Sequence, residues 1–465
     1  MAKRAVLKVS GGKTEETILS FLKLLLEKGV VEALLLPKGL PSGDGVVQTL
    51  IHDPEKLSGA SILSPTMPVQ SARVASNLTA RNLEKKVAVL MKACEIRAIV
   101  ELTKFLQVKL DNLCLIGIDC PGTFEVVDYA RMAQEGKGGT ILARELLQGM
   151  EKGDVFPPQG YAFRTACQMC EYPIPTADIG FKLFGYRTEQ EVGIEIGEKL
   201  EKEMGEKGLL PLPEEKEPAS RGEVVGKVIA ERTKKRDATF KEFKGVVKDL
   251  QSFLDRFSTC VRCHNCMVAC PICYCKECVF KTAVFEHEGN QFLRWADRKG
   301  GIRMPTDTLI FHLIRMSHMV TSCIGCGLCD SACPSRLPVA SLFRSVGDKI
   351  QKMFQYVPGR DVKEAPPVAT FKEDELKICS AVIGSVKDGN YVNSVLNLVT
   401  DELIEIGGMW ILRILTEEAN RNTFVTIHPT DFFYPYAWYE TDESKMVASA
   451  NSYLIHRWAK SWWTN

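Results

Sequence analysis

Eight cysteines fall in two runs of one spacing. The first is Cys260-x2-Cys263-x2-Cys266-x3-Cys270-Pro271 and the second Cys323-x2-Cys326-x2-Cys329-x3-Cys333-Pro334. Thiolates are soft ligands that suit zinc and iron–sulfur clusters. Two-residue gaps let three of them wrap one cubane, and a three-residue gap followed by Cys-Pro is the spacing of cluster-binding runs. Gly325 and Gly327 allow close backbone approach in the second run. In two-cluster ferredoxins the fourth cysteine of each run serves the other cluster. The expected sets are Cys260, Cys263, Cys266 with Cys333, and Cys323, Cys326, Cys329 with Cys270. Two 4Fe–4S clusters make electron transfer the chemistry of this chain.

Four more cysteines lie far apart in sequence. Cys94 and Cys120 each follow an apolar run that reads as a strand, and Cys167 and Cys170 form a CxxC. In a parallel sheet, strand ends share the carboxyl edge, where open α/β folds build their sites. These four form a third cluster, a zinc site or core thiols, and spacing alone does not choose between them. Cys273, Cys275 and Cys278 follow the first run, as a further metal site or as buried thiols. Cys114 and Cys379 have no close cysteine partner and are assigned to packing. Seventeen cysteines in a chain read as cytoplasmic are not expected to pair as disulfides.

The elements that must position these residues follow from periodicity. Arg4–Ser10 reads as a strand ending in Ser10-Gly11-Gly12-Lys13-Thr14. A helix follows, with Ile18, Leu22, Leu25 and Leu26 on one face and Gly29 as its cap, then a strand at Val30–Leu36. A second unit has a strand at Val87–Met91, a helix over Ala93–Val108 and a strand at Leu113–Asp119. Alternation of this kind predicts an α/β N-terminal domain with a mostly parallel sheet over 1–198. A charged linker and a helix (Glu223–Phe257) occupy 199–257. A helical, ferredoxin-like two-cluster iron–sulfur module spans 258–345, with a helix at Thr308–Val320 between the runs. A polar linker at 346–375 leads to a small α/β tail at 376–465. Lys plus Arg total 59 against 58 Asp plus Glu, which gives no basis for nucleic-acid binding. The start of the chain has no apolar leader, and no run approaches the ~18 apolar residues of a membrane span. The expectation is a cytoplasmic protein without membrane insertion.

Five segments in order resemble the flavin-binding β-subunit family of coenzyme F-420-reducing hydrogenases and F-420-linked formate dehydrogenases. They are the Gly11-Gly12 turn, Leu63-Ser64-Pro65-Thr66, Ala93-Cys94-Glu95-Ile96-Arg97-Ala98, Leu115–Cys120, and the 167–170 CxxC followed by Ala177-Asp178-Ile179-Gly180. The likeness covers roughly residues 3–375. It implies FAD on the N-terminal domain, at Ser10, Gly11, Gly12, Lys13 and Thr14 with Ser64 and Thr66. It also implies a proximal 4Fe–4S cluster on Cys94, Cys120, Cys167 and Cys170. Free N–H groups and a helix N-terminus suit a flavin phosphate, though an ordinary β-α turn has the same look. By that likeness the partner is the catalytic oxidoreductase subunit of a multi-subunit complex, such as a formate dehydrogenase, a hydrogenase or a heterodisulfide-reductase-like assembly. The small-molecule partner is a hydride-carrying coenzyme, F-420 or a nicotinamide. Lys92-Ala93 stands where many members have Thr-Pro, which leaves the hydride partner open. Two other readings are a flavin-free ferredoxin-type subunit and a glycosyltransferase fragment fusion. The latter rests on Thr426–Trp438 and Tyr453–Trp462, which resemble the C-terminal end of DXD-type glycosyltransferases, although 376–465 holds no Asp-x-Asp.

Overall fold

The computed structural model describes residues 3–367 apart from 210–211, 214–216 and 276–277. The expected tail at 376–465 and Cys379 lie outside the described residues. Seven strands form one sheet: β1 (Lys3–Lys8), β2 (Ala33–Gly39), β3 (Val46–Ile51), β4 (Val87–Lys92), β5 (Leu113–Ile118), β6 (Ile179–Lys182) and β7 (Glu191–Ile196). Their order is β1-β7-β6-β5-β4-β2-β3. The longer helices of the first half are α1 (Thr14–Glu27), α2 (Ser71–Thr79), α3 (Ala93–Lys104), α4 (Val126–Gln134) and α5 (Gly139–Lys152). A short α6 (Thr165–Gln168), then α7 (Glu198–Glu206) and α8 (Ser220–Val246), complete it. The second half has α9 (Leu250–Arg256), α10 (Asn265–Val268), α11 (Gly289–Lys299), α12 (Thr308–Met319), α13 (Leu328–Ser331) and α14 (Val339–Met353).

The centre of the sheet meets the expectation: β2, β4, β5 and β6 pair in parallel. Every residue of β5 is buried, as a strand covered on both faces requires. The sheet as a whole is mixed, which corrects the mostly parallel reading. β3 returns antiparallel on β2 through a tight turn, and β7 runs antiparallel between β6 and β1. Connections this short cannot make the crossover that parallel strands need. Two antiparallel steps leave β1 pointing the same way as β4 and β5. The Ser10–Thr14 turn therefore shares a sheet edge with Cys94 and Cys120.

Two readings of helices change. The stretch expected as one helix over 223–257 is α8 and α9, the second restarted by a capping box at Asp249. The charged stretch expected as a linker begins as α7, whose Leu200 and Met204 are buried.

One face of the sheet packs α1, α5 and the start of α8 around Leu22, Leu36, Ile116, Phe181 and Val228. The other face packs α2 and α3, and the same core runs on into Phe257, Met319, Leu342, Phe343 and Ile350 of the second half. The cysteine-rich module is therefore built onto the sheet rather than tethered to it. Fully buried Glu101 of α3 fastens the far end. It accepts from the Tyr356 hydroxyl at 2.7 Å, Lys104 Nζ at 2.9 Å and Gly359 N–H at 2.7 Å.

Candidate metal and cofactor site

The N-terminal cysteines converge because their elements do. Cys94 opens α3 at the end of β4, Cys120 follows β5 by one residue, and Cys167 lies on α6 with Cys170 just beyond it. All four line one cavity, together with Lys92, Thr123, Arg164 and Arg232. Cys326 of the second run lines the same cavity. Burial pushes the Cys94 thiol well up, and the neighbouring Glu95, Cys120, Cys326 and Cys170 push it the same way. Cys120 rises to about 11, again by burial first and then by Cys167. Cys167 behaves oppositely. Burial would raise it, but the Arg164 guanidinium and hydrogen bonds from Thr123 (Oγ1 at 3.2 Å, N–H at 3.4 Å) bring its pKa below the usual value. Metal ligation needs thiolates, and here the protein already favours one.

The two runs are brought together in the fold. Cys260, Cys263, Cys266 and Cys333 line a second cavity, with Phe311 and His312. Cys270 leaves its own run: among the thiolates it acts first on Cys323 and Cys326, and it also raises Cys329. Among the described residues no three His, Cys, Asp or Glu side chains gather tightly enough to hold a single metal ion. The thiolates on a cubane sit on different irons, farther apart than ligands on one ion. The donor sets, sulfur alone around buried cavities, fit cubane clusters. Cys273 is half-buried, and its thiol is pushed up to about 12, by desolvation before its cysteine neighbours. Cys275 is exposed, and Cys278 lies 3.6 Å from the Met267 sulfur. Cys114 lies in the β5 core.

The expected flavin residues divide. Ser64 lines a cavity at the same sheet edge, beside Lys92, Asp119, Cys120 and Gly122. Its hydroxyl bonds Ser61 at 2.6 Å and the Tyr129 hydroxyl at 3.2 Å. Thr66 is buried and its Oγ1 has no hydrogen-bond partner, an orphan that a bound ligand would satisfy. Ser10–Thr14 do not line that cavity. Gly11 and Gly12 have φ of +63° and +71° with open space beside both. Lys13 pairs with Glu16 at 2.9 Å, and the Thr14 hydroxyl donates to Thr188 O at 2.6 Å. The two segments meet through Glu15, whose carboxylate accepts from Leu63 N–H at 2.9 Å. Of the seven expected residues, Ser64 at the cavity and Thr66 with its unpaired hydroxyl are the two with an observation that suits a ligand.

Sequence reasoning missed three arginines, Arg164 buried and Arg97 and Arg344 half-buried. Arg164 donates from Nε to Thr123 Oγ1 at 2.8 Å and from Nη2 to Cys326 O at 3.1 Å. Arg97 donates to Ile324 O at 3.0 Å and to Pro358 O at 2.9 Å, and stacks on Tyr172. Arg344 grips the Glu171 carboxylate with two contacts of 2.8 Å and donates to Met169 O at 2.9 Å. Each ties the second run to the N-terminal site. Their only signal in sequence is proximity to cysteines, which surface arginines share.

Comparison with known proteins agrees with this geometry. The family description "4Fe-4S dicluster domain" matches residues 256–337. The chain is 29% identical over 374 residues to the F-420-dependent formate dehydrogenase subunit beta of Methanocaldococcus jannaschii, covering 76% of this chain and 93% of the relative. It is 30% identical over 382 residues to the F-420-dependent formate dehydrogenase 1 subunit beta of Methanococcus maripaludis, covering 77% and 93%. A chain of the F-420-reducing NiFe hydrogenase complex from Methanosarcina barkeri aligns over 52% of this chain and 92% of its own. The TM-score is 0.36 and the identity 13%. On the identity and coverage of those relatives, this chain belongs to the family of F-420-dependent formate dehydrogenase beta subunits, which are oxidoreductase subunits.

Proposed function

We propose that this chain is the flavin- and cluster-bearing electron-transfer subunit of an F-420-linked formate dehydrogenase or a kindred complex. The observation that carries the reading is the shared cavity: Cys326 of the second run lines it with Cys94, Cys120, Cys167 and Cys170. No protein layer separates the N-terminal cysteine set from the module with the two runs. When bound, FAD supplies the exchange between a hydride and single electrons, and 4Fe–4S clusters supply single-electron relay. The residues of the chain supply position. Cys94, Cys120, Cys167 and Cys170 would hold the inner cluster, Cys270, Cys323, Cys326 and Cys329 the middle one, and Cys260, Cys263, Cys266 and Cys333 the outer one. Ser64 and Thr66, with the Ser10–Thr14 turn, would hold FAD at the same edge. Exposed Cys263 puts the outer set nearest to solvent, on the side from which a catalytic partner subunit would be reached.

Anaerobically purified protein should carry about twelve irons, at four per cubane, with one FAD. Reduced coenzyme F-420 should bleach the flavin and then the cluster absorbance. Eight irons without flavin would replace the reading with a flavin-free ferredoxin-type subunit, and zinc in place of iron would end both.

A further inference from the structure

Two arginines are buried where the cysteine sets meet. Arg315 of α12 is 3% exposed. Its Nη1 donates to Cys266 Sγ and its Nη2 to Cys266 O, both at 3.1 Å, while its Nε has no partner. Among the described residues no carboxylate pairs with it. The charges that act on it most strongly are Cys266 of the outer set, Cys270 and Cys329 of the middle set, and Cys273. Arg164 is 4% exposed. Its strongest charged neighbours are Cys167 and Cys94 of the inner set and Cys326 of the middle set, with Glu125 behind them. A buried guanidinium without a counter-ion is costly. Thiolate-ligated clusters are anionic and would supply that counter-charge.

On the cluster assignment proposed above, we infer that Arg164 and Arg315 are positioning residues that hold up the reduction potentials of the clusters flanking each. The middle cluster is raised by both. Reduction adds negative charge, so a fixed cation nearby favours the reduced state, and net charge and hydrogen bonds to sulfur are known levers on cluster potential. Low dielectric makes the effect larger inside the protein than at its surface. Arg97 and Arg344 also act on Cys323 of the middle set, while Asp330 beside Cys329 opposes them. The middle cluster becomes the electron sink of the chain.

The test is a redox titration followed by electron paramagnetic resonance on the full chain. Arg315→Met should lower the outer and middle potentials and leave the inner one in place. Arg164→Met should lower the inner and middle potentials and leave the outer one. Each affected cluster should shift about tenfold in its reduced-to-oxidised ratio, or about 59 mV for one electron. Arg315→Lys and Arg164→Lys, which keep the charge, should recover most of the shift. Unmoved potentials, or equal shifts at all three clusters in both variants, overturn the inference. Should a Met variant shed iron, the Gln variant takes its place. If Gln sheds iron too while Lys retains it, the need for the charge is supported. If Lys also sheds iron, the charge is not what matters and the inference falls. Wild-type protein without three clusters would instead remove the functional reading on which this rests.

Discussion

Gly327 marks a close approach between the cysteine-rich module and the sheet domain. Its φ is +71°, and a Cβ there would sit 2.2 Å from the Ala166 Cβ on α6. Sequence identified this glycine as permitting a tight approach to a cluster, but the neighbour it makes room for is another element of the chain. Gly327→Ala must both adopt a left-handed conformation, at about 1–2 kcal/mol, and overpack, at about 1–3 kcal/mol. Together these lower stability by about 2–5 kcal/mol, read as a fall in the urea midpoint of iron-loaded protein. Ala166→Gly in the same chain should recover the overpacking part, and no recovery would show that the contact is not the cause. Cys120→Ala tests the site itself. It should cost about four irons and keep about eight, one cubane against two. A variant that keeps all twelve would remove Cys120 from the ligand set. The eight cysteines of the two runs were legible as a pattern because cluster ligation restricts residue type and spacing, whereas Cys94, Cys120, Cys167 and Cys170 were singled out as cluster ligands only through the family resemblance. The arginines between them were not legible, because a buried and an exposed arginine are written the same way.

At the scale of elements, α8 does the most to hold the site's shape. Arg221, Arg232 and Arg236 are eleven and four residues apart, close to whole turns at 3.6 residues each, so they share a face. Arg221 bonds the Asp119 carboxylate at 2.7 Å, Arg232 donates to Pro121 O at 2.5 Å, and Arg236 to Glu171 at 3.1 Å. One helix thus clamps the segments after β5 and after the CxxC, which carry Cys120 and Cys170. Breaking a buried ion pair by removing one partner costs about 3–5 kcal/mol. Asp119 keeps two backbone donors, Leu183 N–H at 2.8 Å and Phe184 N–H at 3.0 Å. Arg221→Met should therefore fall near the low end, about 3 kcal/mol, measured by denaturation. A change under about 0.5 kcal/mol, the usual size for surface substitutions, would mean that the pair contributes nothing to the clamp. Periodicity found this helix but ran it on through Val247-Lys248-Asp249, because helix ends depend on local capping more than on apolar spacing.

At the scale of the whole molecule, the sheet domain and the cysteine-rich module share one apolar core across α3, α12 and α14. Leu342, Phe343 and Ile350 of α14 are as buried as the strands beneath them. Separating the two parts should therefore yield insoluble or cluster-free halves, whereas flexibly linked domains would survive as stable fragments. By contrast, ending the chain after Glu375 should leave iron and flavin content unchanged, since every residue assigned to a cofactor lies before it. Loss of iron or flavin on that truncation would show that the tail contributes to the site.

The amino-acid sequence by itself determined the two cysteine runs, the central strands β4 and β5, and α1 with its apolar face. Each of these is a local pattern: metal ligands must be cysteines at set gaps, and a buried strand or helix face must be apolar at its own period. Tertiary structure alone decided the placement of β7 between β1 and β6, which sets where the Ser10–Thr14 turn lies relative to Cys120. It also decided that Cys326 closes the cavity of the N-terminal set, and that Arg164 and Arg315 are buried between thiolates. These depend on which distant segments meet, and a contact between segments that are not neighbours in the chain leaves no period in either of them.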